Sequence, residues 1–189
     1  MKIFRADECE NWCSGIGIEV VAGVEKPRIV PASPPNCFSI KFPERGTDRI
    51  SLTIALLNDA PGHAIYFDGG LLWFHRWDIW GENTEQMGKL TMELMRDAFI
   101  QPPDLRSHPG MLFQKSELVY LRSFYALGMI YEWDFSFIDH NSQFIILSSH
   151  DGVIYIICRT AEYKAALIEK YAPYWEVTGD DCPHYLRGP

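Results

Sequence analysis

Long apolar runs are missing from this sequence. No stretch of about 18 consecutive apolar residues occurs, so a membrane-spanning helix is not expected. Basic residues are scarce as well: Lys and Arg number 17 against 25 Asp and Glu, and the 17 never gather into a stripe that could track a phosphate backbone. The formal charge of −8 repels nucleic acid and anionic lipid and favours a basic partner. Most of the excess lies late in the chain, since residues 1–60 carry 7 basic and 8 acidic groups and residues 61–189 carry 10 and 17.

Motifs for cofactors are equally thin. There is no Gly-Lys-Ser/Thr phosphate loop, and Gly15-Ile16-Gly17 lacks the third glycine and the helix pattern of a dinucleotide fingerprint. None of the six histidines (His63, His75, His108, His140, His150, His184) forms a His-x-x-x-His or Glu-x-x-His pair. Neither a cofactor nor a metal is therefore expected. Cys9-x-x-x-Cys13 on a helical turn would put two thiols on one face, and Cys182-Pro183-His184 could add two ligands, but the spacings are not those of a zinc ribbon. The five cysteines, Cys9, Cys13, Cys37, Cys158 and Cys182, are odd in number and sparse, which suits free thiols in a reducing compartment. Acidic residues at Asp7 and Glu8 interrupt the place where a signal peptide keeps its apolar core. The cytoplasm is the expected location.

What is present is core-forming material. Apolar residues make up 47% of the 189 and aromatics 14%, enough for one domain over residues 1–189 that buries about 70% of its unfolded surface. No internal repeat or low-complexity tract divides it. The segment from Lys26 to Pro35 holds four prolines and reads as a stiff connection that no central strand could contain. Around it, Gly17 to Val24, Cys37 to Phe42 and the apolar run Arg49 to Leu57 read as strands, so the first half is expected to be rich in β structure. Asp68-Gly69-Gly70 reads as a hairpin turn between His63–Phe67 and Leu71–Trp80.

Two central helices follow. One, over about 84–100, is capped by Asn83, presents Met87, Leu90, Thr91, Leu94, Met95 and Ala98 on one face, and must stop before Pro102-Pro103. The other runs from after Ser116 to about Leu127, with Gly128 as its left-handed terminus. A three-stranded meander is expected over 133–138, 143–149 and 153–158. A final helix follows it, capped by Thr160, with Ala161, Ala165, Ile168 and Ala172 on its packed face. The class is α+β with a mainly antiparallel sheet and about three helices.

Ser149-His150-Asp151 has the residue types of a hydrolase triad. Neighbours at a strand end cannot form such a relay among themselves, however, and Asp151-Gly152 reads as a turn. The most unusual stretch is Leu71 to Trp80, with three of the six tryptophans. On a strand, Trp73, His75, Trp77 and Ile79 share one face and Leu72, Phe74, Arg76, Asp78 and Trp80 the other. Tryptophan and arginine among a few charges are the stuff of binding hot spots, so Trp73, His75, Arg76, Trp77, Asp78 and Trp80 are the expected binding residues; the competing expectation is that the strand is core.

With no catalytic nucleus, an acidic surface and many aromatics, the expectation is a non-enzymatic protein-binding module, an inhibitor or immunity-type protein for a cationic partner. The alternative is an enzyme or small-ligand-binding domain with a site assembled around 71–80, using His75 with Asp68, Asp78, Glu82 or Glu85 for acid–base work.

Overall fold

In the computed structural model of the chain, residues 1–23, 27–31, 36–58, 69–76, 82–97, 106–141 and 144–186 are described, with backbone alone at 58, 76 and 82–87. The architecture is α+β. Among the described residues, one sheet has eight strands in the order β1 (Lys2–Phe4), β6 (Gly110–Gln114), β5 (Gly69–Arg76), β7 (Asp134–Asp139), β8 (Phe144–Ser149), β9 (Val153–Cys158), β4 (Asn36–Lys41), β10 (Val177–Thr178). Every pairing in it is antiparallel. A second, two-stranded sheet pairs β2 (Ile18–Val21) with β3 (Arg28–Pro31).

Side chains alternate across the pleat, and both faces of the large sheet are covered. Leu72, Phe74, Phe135, Phe137, Ile146, Ile154 and Ile156 point to a layer of helices α2 (Gly46–Asn58), α3 (Glu82–Asp97), α4 (Leu118–Ile130) and α5 (Ala161–Tyr171), which contribute Leu52, Met92, Phe124 and Leu167 among others. Leu71, Trp73, Ile138, Ile145 and Ile157 point the other way, under α1 (Ala6–Gly15), the β2–β3 hairpin and the chain's last described residues. Burial on two faces explains why β7, Asp-Phe-Ser-Phe-Ile-Asp, is buried at every position.

The meander β7–β8–β9 and the cap of α5 match the sequence expectation. Ser149, Asp151 and Gly152 form the tight turn between β8 and β9, and Thr160 Oγ1 accepts the Tyr163 N–H at 3.1 Å. Other elements differ. Among the described residues there are five helices rather than about three, because the first half contains α1 and α2. Arg49–Leu57 is helical, and its buried residues, Leu52 with Leu56 and Thr53 with Leu57, are spaced by four, a helical period that overrides the β-branched content. The proline-rich segment supplies β3, a strand of the small sheet, where an edge tolerates proline.

Gly69 and Gly70 are not a turn. They lie inside β5, opposite Gln114 and Phe113 on one side, and Gly70 also opposite Asp139 on the other. A Cβ on Gly70 would sit 2.5 Å from the Phe137 ring, and Gly69 has φ +130°, so close approach and backbone conformation require glycine at both. His63–Phe67 and Asp68 lie outside the described residues. Gly128 is likewise within α4, against the Phe135 ring, and the left-handed residue after that helix is Glu132 at φ 52°. Helix α3 starts at Glu82, so Asn83 lies inside it, and the helix buries Gly88, Met92 and Arg96 while Leu90 and Leu94 face outward. In α5 the buried residues are Leu167 and Tyr171; Ala161, Ala165 and Ala172 are exposed.

Candidate functional site

Of the six residues expected to bind, the structure describes three. Trp73 is 3% exposed and belongs to the core between the sheet and α1. His75, two residues on and on the same face, is half-buried; its ring centroid lies 5.0 Å from that of Trp73, and Nε2 lies 2.9 Å from Ser136 Oγ on β7. Arg76 closes β5 opposite Asp134, after a register shift that follows Phe74. Trp77, Asp78 and Trp80 lie outside the described residues, as do Asp68 and the side chains of Glu82 and Glu85.

The sheet end beside His75 collects polar groups. Asp134, at the start of β7, accepts the His150 backbone N–H through Oδ1 at 2.9 Å, and His150 Nδ1 lies 3.1 Å from each of its carboxylate oxygens. Ser149 Oγ donates to Asp151 Oδ2 at 3.0 Å and so is turned to the carboxylate next in the turn, not to the imidazole. Ser149, His150 and Asp151 therefore build a turn held to Asp134, and no nucleophile–base relay among them. Ser136, whose hydroxyl meets the His75 imidazole, is fully buried.

The cysteines divide in a way the sequence did not foretell. Cys37 on β4 and Cys182 are joined in a disulfide, which corrects the expectation of five free thiols. Cys9 and Cys13 lie one turn apart on α1, both buried, as is Cys158. Because Cys182 is bonded to Cys37, the set Cys9, Cys13, Cys182 and His184 does not assemble around an ion. Among the described residues no group of three His, Cys, Asp or Glu is placed to hold a metal.

A different surface stands out in the helix layer. Ile50 and Ile54 on α2, Leu90 and Leu94 on α3, and Val119 and Tyr120 on α4 are all exposed, Leu94 at 61% and Val119 at 66%. Helices α2 and α3 each adjoin α4. Arg49 Nη1 donates to the carbonyls of Met129 and Ile130 at the end of α4 and its guanidinium pairs with Glu132, while Gly88 of α3 packs against Tyr131 and Trp133, just beyond α4. The signal for this surface was present in the sequence as apolar residues on α3 and α2 in excess of what one buried face needs. Two clefts among the described residues, of about 600 Å³ beside Lys115 and His140 and about 340 Å³ beside Arg45 and Tyr174, include neither Trp73 nor His75.

These features define an antiparallel α+β protein with both sheet faces covered, and no helix among the described residues is long and apolar enough to cross a membrane. Comparison with protein-family models, with curated proteins and with solved structures finds no match to this chain.

Proposed function

We propose that this chain is a non-enzymatic protein-binding module whose contact surface is the outer face of the helix layer. The observation that carries the proposal is the exposure of Ile50, Ile54, Leu90, Leu94, Val119 and Tyr120 on three adjoining helices. Single exposed apolar residues are ordinary; several on neighbouring helices are what a protein interface uses for its centre. The occupant is a partner protein with an apolar patch and a net positive charge. The charge of −8 steers such a partner in, and the apolar face supplies the affinity, as in inhibitors or immunity-type proteins that neutralise a cationic target. The cytoplasm is the compartment we assign to this encounter.

The test compares the wild type with a Leu94→Glu/Val119→Glu variant of equal fold by circular dichroism, each immobilised against an extract with cross-linking and mass spectrometry. A basic protein held by the wild type, cross-linked to α2–α4 and lost from the variant, supports the proposal. Identical capture by both proteins refutes it, as does a wild type that forms a dimer in sedimentation which the variant abolishes.

A second reading, a ligand-binding or enzymatic site at β5, draws on one observation, the 2.9 Å His75–Ser136 contact. Hydrolysis of a simple nitrophenyl ester that disappears in Ser136→Ala and in His75→Gln would favour it over the first.

A further inference from the structure

After α5 the chain runs along β4 and then leaves it for the small sheet. The Glu176 carbonyl accepts the Lys41 N–H, Val177 and Thr178 pair with Ile40 and Ser39, and Asp181 Oδ2 accepts the Ser39 hydroxyl at 2.8 Å. Cys182 is then bonded to Cys37, two residues back along the same strand. Beyond it, Tyr185 OH donates to the Ile29 carbonyl of β3 at 3.5 Å, and the Arg28 guanidinium lies 5.7 Å from the Tyr185 ring centroid. Residues 179–186 therefore form a strap joining the edge of the large sheet to the hairpin. Beneath it lie Ile29 and Cys37, at 0% and 2% exposure.

The strap's other holds are noncovalent. Asp181 accepts the Ser39 hydroxyl and Pro183 is buried, whereas Lys164–Asp180 is a surface pair with Asp180 almost fully exposed, the Tyr185–Ile29 hydrogen bond is long, and residues 180–182 and 184–186 are at most half-buried. The disulfide is the strong link. Its two residues differ in exposure, since Cys37 is buried and Cys182 is partly exposed. The nearby thiols do not compete for it. Cys9 and Cys13 sit in the same buried cluster, but burial first, then the Cys13 thiol beside Cys9 and Glu10 beside Cys13, hold both in the neutral form, whereas exchange requires a thiolate.

We infer that Cys37–Cys182 is a redox-controlled latch: reduced by a dithiol, it releases the strap 179–186, loosens the β2–β3 hairpin and uncovers the sheet face around Ile29 and Cys37. In the chemical step the dithiol's thiolate attacks Cys182 Sγ, the S–S bond breaks, and Cys37 leaves as a thiolate that takes a proton. The dithiol's second thiol, as its thiolate, then attacks the mixed disulfide and departs as an intramolecular disulfide, leaving Cys182 reduced. Two electrons pass from the dithiol to the cystine. In the cytoplasm proposed above, a single disulfide serves this kind of transient control more often than it serves as a permanent staple. The latch is independent of the helix-layer surface, which lies on the opposite side of the sheet.

The experiment is amide hydrogen exchange on the full chain with and without excess dithiothreitol, preceded by a non-reducing peptide map. The map is expected to show Cys37 linked to Cys182. Reduction is expected to speed exchange about tenfold or more in peptides covering 179–186 and 28–31 while β7, β8 and β9 keep their rates. Cys182→Ser, altered at the less buried residue of the pair, should match the reduced wild type and ignore dithiothreitol. Three results would overturn the inference: a map with both thiols free after mild oxidation, exchange in 179–186 unchanged by reduction, or acceleration of the whole sheet together, which would make the bond a global staple.

Discussion

Asp134 holds His150 at two points, accepting the backbone N–H at 2.9 Å and lying 3.1 Å from Nδ1 through both carboxylate oxygens, while itself only 1% exposed. The β8–β9 turn is thereby tied to the first residue of the central strand β7 by a side chain that water does not reach. Replacing Asp134 by Ala leaves a partly buried N–H without its acceptor, at a cost of about 1 kcal/mol. His150→Ala should cost less, since Asp134 keeps the backbone donor. Urea unfolding of the two variants checks the order; equal losses would show that the imidazole, not the main chain, is the important ligand.

Trp73 fills the core under α1, so Trp73→Ala should lose about 3–5 kcal/mol. Tyr174, 77% exposed, is the contrasting case: Tyr174→Ala should stay within about 0.5 kcal/mol. Denaturant midpoints at equal slope decide both, and a nearly neutral Trp73→Ala would return that residue to the list of binding candidates.

Gly128→Ala sets two effects against each other. Alanine gains about 1 kcal/mol in helix propensity, but its Cβ would come within 2.6 Å of Phe135 Cε1, and overpacking a filled core costs roughly 1–3 kcal/mol. The aromatic is flanked by Phe74 and Tyr125, whose rings lie 5.3 Å and 4.8 Å away, and it has little room to give. A lowered melting temperature is expected; a raised one would mean that the core relaxes freely here.

Alkaline pH should weaken the fold in a defined window. Burial pushes the Cys13 and Cys158 thiols up to about 12 from an ordinary value of 9.0, and raises Cys9 as well. The fold favours the protonated thiols, so between pH 9 and about 12 the unfolded chain has lost protons that the folded chain retains. Their contribution is complete below pH 9 and declines as pH rises towards 12. Tyr185, raised by burial to about 12, and Tyr125, raised the same way, add to the decline above pH 10. Urea midpoints from pH 8 to pH 11 should fall, less steeply in Cys158→Ala, and a flat profile would contradict the assignment.

How far each element was legible depended on how local its cause is. The β7–β8–β9 meander could be read because period-two alternation and turn residues lie within a few positions of one another. Helix α2 could not, because Ile50, Leu52, Ile54, Leu56 and Leu57 make an apolar run whose period shows only once a partner buries one side. Helix α1 escaped notice for the opposite reason, having little apolar content beyond Cys9, Trp12 and Cys13. Of the candidate site, Trp73, His75 and Arg76 lie among the described residues and Trp77, Asp78 and Trp80 outside them. Trp73 and His75 were placed on one face of a strand correctly, yet alternation cannot say whether that face meets solvent or a second layer.

By itself, then, the sequence determined the α+β class, the antiparallel meander, the Thr160 cap and the acidic charge, all of which follow from short-range stereochemistry or from composition. Only the tertiary structure decided that Trp73 is core, that Leu90 and Leu94 face outward, and that Cys37 meets Cys182 across a sequence separation of 145. Each of those outcomes depends on which surface a distant segment covers, a property of packing between elements and of no element alone.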